Sequence, residues 1–167
     1  MNKTLAAQSR IDTPLGPLTL ATTARGLALA WFDHQAHRTD EVDAPLQPGH
    51  EVLRQAECEF DEYFSGRRRE FGVPLDPAGT DFQQRVWQAL LQIPMGRLGT
   101  YGEIARQLGQ PAAARAVGAA VGRNPIAIIV PCHRVVGSDG SLTGYAAGLP
   151  RKRALLLHEA AQPFANP

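Results

Sequence analysis

The segment NPIAIIVPCHRVVG, residues 124–137, places a cysteine and a histidine side by side directly after an apolar run. The run Ile126–Val130 predicts burial, and a proline then restricts the backbone just before Cys132. A thiol on such a rigid, core-anchored chain is well placed for chemistry. The adjacent His133 and Arg134 favour the thiolate, which is the attacking form. The alternative is that Cys132 is a small buried hydrophobe, as free cysteine often is.

Proton transfer from Cys132 to His133 needs an intermediary, because neighbouring side chains of an extended chain point to opposite sides. We therefore expect a water molecule between them. His133 also needs a carboxylate on its far side to orient it. Among the few acidic residues of the second half, Glu103 is expected in a helix cap and Asp139 in a polar turn. Glu159, at the end of the apolar helical stretch RALLLHE, is the best remaining candidate.

Composition places the chain among globular proteins, with 167 residues, 44% hydrophobic and 20% charged. The apolar runs are too short to span a membrane, and the N-terminal stretch lacks the apolar core of a secretory signal. Two cysteines make no disulfide framework. We therefore expect a cytoplasmic protein without membrane association. We also expect a monomer in solution.

Charge is divided unevenly along the chain. Residues 1–79 carry a net charge of −4 and residues 80–167 a net charge of +5. A basic second half suggests a polyanionic partner. The alternative is a chance asymmetry between solvated faces.

The first half predicts a small sheet followed by a helix. Short β-like runs separated by turn residues across Ile11–Phe32 indicate an antiparallel hairpin or meander. Apolar residues at helical spacing indicate an amphipathic helix across Gly49–Gly66. The Pro/Gly-rich stretch Pro74–Thr80 marks a boundary between an N-terminal α/β supporting domain, 1–78, and a C-terminal domain, 79–167. The predicted fold class is α+β.

The second half predicts mostly helices. Thr80 or Asp81 can cap a helix that begins near residue 81, and Thr100 with Glu103 can form a capping box for the next helix. A tight turn then leads to a third helix, AAARAVGAAVG, residues 112–122. This arrangement is typical of a helix-turn-helix, although an ordinary αα-hairpin has the same pattern.

That third helix is made almost entirely of alanine and glycine, with Arg115 as its single charged side chain. Small side chains allow a helix to approach a neighbour closely, either another helix or a nucleic-acid groove. In a groove, Arg115 would be the one long side chain that reaches inward.

Four stretches of the second half resemble the O6-alkylguanine-DNA alkyltransferase family, in its bacterial form. The match covers almost all of residues 79–159, and the PCHRV motif preceded by NP is highly specific. The stretches are GTDFQQRVWQALLQIP, TYGEIARQLG, ARAVGAAVGRNPIAIIVPCHRVVG and LTGYAAGLPRKRALLLHE. In the first half, YFSGRRREF also resembles the family.

The resemblance implies direct-reversal repair of double-stranded DNA without a cofactor. The Cys132 thiolate would take the alkyl group from O6 of a guanine flipped out of the duplex, irreversibly and once per protein molecule. His133 would act as base through a water, oriented by Glu159. Asn124 would support the active-site chain, and Tyr101 would donate a proton to the guanine and rotate its phosphate.

The resemblance also implies which residues contact DNA. Arg115 would fill the space left in the base stack, and the chain around it would line the groove. The groove residues would be Ala112, Ala113, Ala114, Ala116 and Gly118; phosphates would meet Arg97, Arg106 and Arg123; and the base pocket would be formed by Val135, Tyr145 and Ala146. The sequence leaves open which alkyl groups fit, whether O4-alkylthymine is also a substrate, and whether copies assemble cooperatively on DNA.

Some features depart from the family or carry no role. Met95 stands where the family commonly has tyrosine. Zinc ligands would have to come from Cys58, His34, His37 and His50. The stretch DHQAH offers a His-x-x-His spacing, but histidines in such loops are usually only solvated, so we predict no metal. The run Arg151–Arg153 is expected to be a solvated helix start, and His158 to cover a helix end.

Three alternatives to transfer remain. A sensor of alkylated DNA would bind without transfer, but such relatives lack the cysteine. A transcription regulator would need an additional metal-binding module. An unrelated Cys/His hydrolase would turn over a small ester or peptide without DNA.

Overall fold

The computed structural model describes residues 3–38 and 41–160. It confirms the α+β class, with a small antiparallel sheet in the first half and helices dominating the second. Strands β1 (Ala7–Ile11), β2 (Leu18–Thr22) and β3 (Leu27–Phe32) form a meander in the order β1-β2-β3. The predicted antiparallel hairpin or meander is therefore a meander, and its first strand shares only Ile11 with the predicted range Ile11–Phe32.

Both edges of this sheet are covered by other parts of the chain. Gln8 on β1 bridges Leu46, while β3 is bridged by Leu75 and, through Ala30, by Ile126. The amide of Ala30 donates to the carbonyl of Pro125 at 2.9 Å, and the amide of Ala127 donates to the carbonyl of Ala30 at 2.8 Å. The segment that precedes Cys132 is thus attached to the N-terminal sheet by main-chain hydrogen bonds.

Helix α1 (Glu51–Phe64) packs on the sheet through an apolar face. It ends at a left-handed Gly66 with φ 76°, as the sequence predicted. Helix α2 (Asp81–Leu90) begins at Thr80, whose hydroxyl accepts from the amide of Gln83 in a capping box. Of the two predicted caps, Thr80 is therefore the one used.

The predicted helix-turn-helix region is built from α3 (Tyr101–Gln107) and α4 (Ala114–Gly122). Thr100 and Glu103 form the predicted capping box of α3. The stretch predicted as one helix, 112–122, is divided, because Pro111–Ala113 form a separate 3-10 turn before α4. Without side-chain caps, an alanine-rich start is free to take the tighter turn.

The remaining elements surround the cysteine. Two short strands, β4 (Gly99–Thr100) and β5 (Val135–Val136), pair in parallel, and helix α5 (Leu149–Ala160) closes the described chain. The core is continuous across both halves, since β3, α1, α2 and the cysteine segment contribute to one buried cluster. Within residues 3–38 and 41–160, no helix is long and apolar enough to cross a membrane.

Candidate active site

The segment Ile126–Val136 is buried throughout, which confirms the predicted burial of the apolar run. Its backbone is not the extended chain that we expected. Ile128 lies in the left-handed region with φ 72°, and Cys132–Arg134 form a 3-10 turn. A β-branched residue with positive φ is costly and persists only where the surroundings impose it. The turn therefore sets the directions of the Cys132 and His133 side chains.

Asn124 organises the loop that carries the cysteine. Its amide nitrogen donates to the carbonyl of Val130 at 2.8 Å and to the Cys132 sulfur at 3.1 Å. Its side-chain oxygen accepts from the amide of Ile126 at 2.9 Å. One side chain thus fixes both ends of the loop and touches the thiol, which is the supporting position expected from the sequence.

The environment of Cys132 differs from the thiolate-favouring one that we inferred from neighbouring residues. Burial raises the pKa of the thiol, and the hydrogen bond from Asn124 opposes that rise only partly. Arg134 cannot help, because its guanidinium is directed to Glu159 instead. Adjacency in sequence does not predict contact here, because the 3-10 turn directs the Cys132 and Arg134 side chains to different partners. A raised pKa favours the neutral thiol, so attack by this sulfur would require an acceptor for its proton.

His133, the next residue along the chain, is held by a carboxylate. It is fully buried, and its Nε2 lies 2.7 Å from Oε1 of Glu159. Burial lowers the pKa of His133, and burial alone would raise the pKa of Glu159. The hydrogen bonds from His133 and Arg134 instead hold the pKa of Glu159 at about 2. An ionised Glu159 must accept, so Nε2 carries the hydrogen and Nδ1 presents a lone pair.

The Nδ1 atom of His133 is buried and has no hydrogen-bond partner among residues 3–38 and 41–160. A buried acceptor of this kind is normally satisfied by water. The unpartnered Nδ1 is therefore available to accept a proton, as the predicted water-mediated role of His133 requires.

Glu159 has two further partners that sequence reasoning missed. Arg134 donates from Nε to Oε2 and from Nη2 to Oε1, both at 2.9 Å. Tyr63, on α1, donates its hydroxyl to Oε1 at 2.9 Å. The helical spacing of α1 marks Tyr63 as buried but carries no signal for its partner, which lies nearly a hundred residues away.

Lys152 is a second residue that sequence reasoning missed. The run Arg151–Arg153 was expected to be solvated, yet Lys152 is fully buried. Its Nζ donates to the carbonyls of Val135 at 2.5 Å and Thr143 at 2.8 Å. Burial lowers the pKa of Lys152, and the neighbouring Cys132 opposes that shift. These two hydrogen bonds offset part of the free-energy cost of burying the Lys152 ammonium, and they connect β5 to the loop before α5.

A cavity of about 270 Å³ is lined by residues of α3 and α4, by the loop before α5 and by the turn after β3. Within the described ranges, Cys132 and the predicted pocket residue Val135 are not among its lining residues. Tyr101 lies at its wall, and its phenolic oxygen accepts from the hydroxyl of Thr143 at 3.1 Å. The Tyr145 hydroxyl is buried and has no hydrogen-bond partner within the described ranges. The lining residues are Ala36, His37, Tyr101, Gly118, Val121, Gly122, Gly144, Tyr145 and Ala146. The cavity thus contains the predicted Tyr101, Tyr145 and Ala146.

The main-chain carbonyls of Cys132 and Val135 already have partners. Val135 accepts from Lys152, and the carbonyl of Cys132 accepts from the amide of Val135. Each carbonyl has a second lone pair for a ligand.

The predicted nucleic-acid contacts lie outside the buried centre. Arg115 and Ala116 on α4 are exposed, and Gly118 faces the ring of Tyr101. Ala112 is exposed, whereas Ala113 and Ala114 are half-buried. The three arginines predicted to meet phosphate are all exposed: Arg97, Arg106 and Arg123.

Two family models match the chain in tandem. The first is described as "6-O-methylguanine DNA methyltransferase, ribonuclease-like domain" and matches residues 7–77. The second is described as "6-O-methylguanine DNA methyltransferase, DNA binding domain" and matches residues 81–161. Together they account for most of the chain.

Individual relatives agree with this match. A methylated-DNA–protein-cysteine methyltransferase of Mycobacterium bovis is 53% identical over 146 residues, 87% of each chain. A protein of the same name from Methanosarcina acetivorans is 48% identical over 145 residues, 87% of this chain and 92% of its own. The crystal structure of Mycobacterium tuberculosis OGT in complex with DNA has a TM-score of 0.87 and 51% identity, and the match covers 96% of both chains.

Proposed function

We propose specific roles for the residues described above, from the premise that the chain belongs to the 6-O-methylguanine DNA methyltransferase family. The function of the chain is direct-reversal DNA repair, in which an alkyl group is transferred to a cysteine of the protein itself. Each protein molecule reacts once, because the acceptor is consumed. We assign the acceptor to Cys132. The observation that carries this assignment is its thiol, held by Asn124 beside the His133–Glu159 pair.

The transfer step moves one carbon between two heteroatoms. A bond forms between the Cys132 sulfur and the alkyl carbon while the bond from that carbon to O6 of guanine breaks. The thiol proton passes through water to Nδ1 of His133, and Glu159 stabilises the imidazolium that results. Tyr101 donates a proton to the departing guanine, so the base leaves neutral. The thioether that remains is stable, which makes the transfer irreversible.

The substrate is O6-alkylguanine in duplex DNA, extruded from the helix into the cavity beside Tyr101. Extrusion costs a few kcal/mol of lost stacking and pairing, which contacts in the groove must offset. The exposed face of α4 supports this role, because Arg115 projects from a surface of small side chains. The three exposed arginines, Arg97, Arg106 and Arg123, add phosphate contacts that do not depend on base sequence.

The assembly and location of the protein belong to the same proposal. We infer a monomer that acts in the cytoplasm, divided into a supporting domain, 1–78, and a reactive DNA-binding domain, 79–167. The last seven residues of the second range lie outside the described residues. Two carbonyls, those of Cys132 and Val135, would accept from the amino group of the flipped guanine.

Intact-protein mass spectrometry tests the proposal directly. The protein is mixed with a duplex that contains one O6-methylguanine, and Cys132→Ser is run beside it. We expect the wild type to gain one methylene per molecule, mapped by peptide analysis to Cys132, and the variant to gain none. Tight binding without mass gain would make the protein a sensor of damage. Absence of both would return the Cys132–His133 pair to hydrolase chemistry on small substrates.

A further inference from the structure

Tyr63 is a residue of the N-terminal half that reaches the carboxylate beside His133. It lies on α1, its side chain is fully buried, and its hydroxyl donates to Oε1 of Glu159 at 2.9 Å. The same oxygen contacts Nε2 of His133 at 2.7 Å and Nη2 of Arg134 at 2.9 Å. Three donors therefore share the one carboxylate oxygen that orients the base.

We propose that Tyr63 is a positioning residue for alkyl transfer, which tunes the basicity of His133 through Glu159. The N-terminal half would then take part in the chemistry, beyond supporting the fold. This inference rests on the proposed function, in which His133 receives the thiol proton.

The physical basis is competition for the charge on one oxygen. A hydrogen bond from a neutral phenol draws electron density from Oε1 and so weakens the attraction between Glu159 and a protonated His133. Loss of the phenol hydrogen bond would leave more negative charge facing the imidazole. The pKa of His133 would then rise. At acidic pH a larger fraction of the protein molecules would carry a protonated His133, which cannot accept the thiol proton.

Other groups around the pair act in known directions and remain in place when Tyr63 changes. Arg134 and Lys152 both oppose a positive charge on His133. Tyr145 lies near enough to Glu159 for its own pKa to be affected, although burial dominates. Arg134 donates to both carboxylate oxygens and keeps Glu159 ionised. A change at Tyr63 thus alters one donor within an otherwise constant set.

A second contact ties Tyr63 to the same helix. Nε2 of His158 donates to the main-chain carbonyl of Tyr63 at 2.8 Å, and the two rings lie 5.0 Å apart. The Tyr63 ring also packs against Phe71, with centroids 5.5 Å apart. These contacts do not involve the hydroxyl, so Tyr63→Phe keeps them while removing a single oxygen atom.

The test is the pH profile of transfer under single-turnover conditions, measured from pH 5 to pH 9 on duplex DNA with one O6-methylguanine. For Tyr63→Phe we expect the acid limb to move to higher pH by up to about one unit, which is up to about a tenfold loss of rate on that limb. The rate on the plateau should stay within about twofold. An imidazole NMR titration of His133 in the unreacted protein should show the same shift.

Phe71→Leu is the matched control, because it loosens the packing around the Tyr63 ring without removing a polar contact. It should lower the melting temperature and leave the acid limb unchanged. If Tyr63→Phe transfers the alkyl group at the wild-type rate at every pH, the inference is wrong and the proposed function still stands. The inference is also wrong if Tyr63→Phe and Phe71→Leu shift the acid limb by the same amount, because the shift would then come from altered packing. Absence of transfer in the wild type would instead remove the proposed function.

Discussion

The cysteine segment, Ile126–Val136, and the outer face of α4 differ in burial and in hydrogen bonding. Cys132, His133 and their partners are buried, and a network of hydrogen bonds joins them, with Nδ1 of His133 left without a partner among the described residues. Arg115 on α4 is exposed and makes no side-chain hydrogen bond within the described ranges. In the proposed function, the chemistry is therefore organised before DNA arrives, whereas the proposed DNA-binding face of α4 is left available. Variants of the two regions should therefore separate effects on stability and chemistry from effects on binding.

The largest effect is expected for Glu159→Gln. A glutamine cannot stabilise the imidazolium of His133, and it leaves Arg134 buried without a countercharge. We expect transfer to slow by about 10²- to 10⁴-fold and the free energy of unfolding to fall by about 3–5 kcal/mol. Single-turnover kinetics and denaturant melts measure the two quantities. Glu103→Gln is the control, because glutamine can replace glutamate in the capping box of α3 and both quantities should stay near wild type.

Arg115→Ala should impair transfer from duplex DNA while leaving stability almost unchanged. Its exposed guanidinium contributes little to the folded chain, so stability should change by no more than about 0.5 kcal/mol. Transfer from duplex DNA at limiting protein should fall by about 10- to 100-fold, since base extrusion would no longer be offset. Transfer from a single-stranded oligonucleotide should fall much less. Equal losses on both substrates would contradict the proposed place of Arg115 in the base stack.

The smallest effect is expected for Arg106→Ala. Removal of one phosphate contact should lower the slope of log affinity against log salt by about one, uniformly across DNA sequences. Fluorescence anisotropy with undamaged duplexes over a range of salt concentrations measures the slope. Arg54→Ala, on the exposed side of α1, should leave the slope unchanged. A change of the same size at Arg54 would show that net charge matters more than position.

Much of the architecture could be predicted from local patterns. The meander, α1 with its terminal Gly66, the cap of α2 and the capping box at Thr100 follow from rules that act over a few residues. The same rules failed at Cys132–Arg134, where an extended chain was expected and a 3-10 turn is found. The turn depends on Asn124 and on burial of the apolar run, so the immediate sequence does not determine it.

The long-range partners of the site explain most of what sequence reasoning missed. The candidate Glu159 was reached by eliminating other carboxylates, and it does contact His133. The sequence offers no comparable argument for Tyr63 or Lys152. A tyrosine on an amphipathic helix is usually a core residue, and a lysine between two arginines is usually solvated. Their burial depends on how α1 and α5 meet, which is a property of the assembled core.

The hydrogen bonds between Ala30 and Pro125–Ala127 also bear on the order in which the molecule assembles. They join segments separated by about a hundred residues, and such distant pairings are slow because a long loop must close first. A nascent chain can complete its hairpins and α1 before the reactive loop has been synthesised. The edge of β3 then serves as a template on which that loop is fixed, so competence for repair is expected to be one of the last properties acquired during folding.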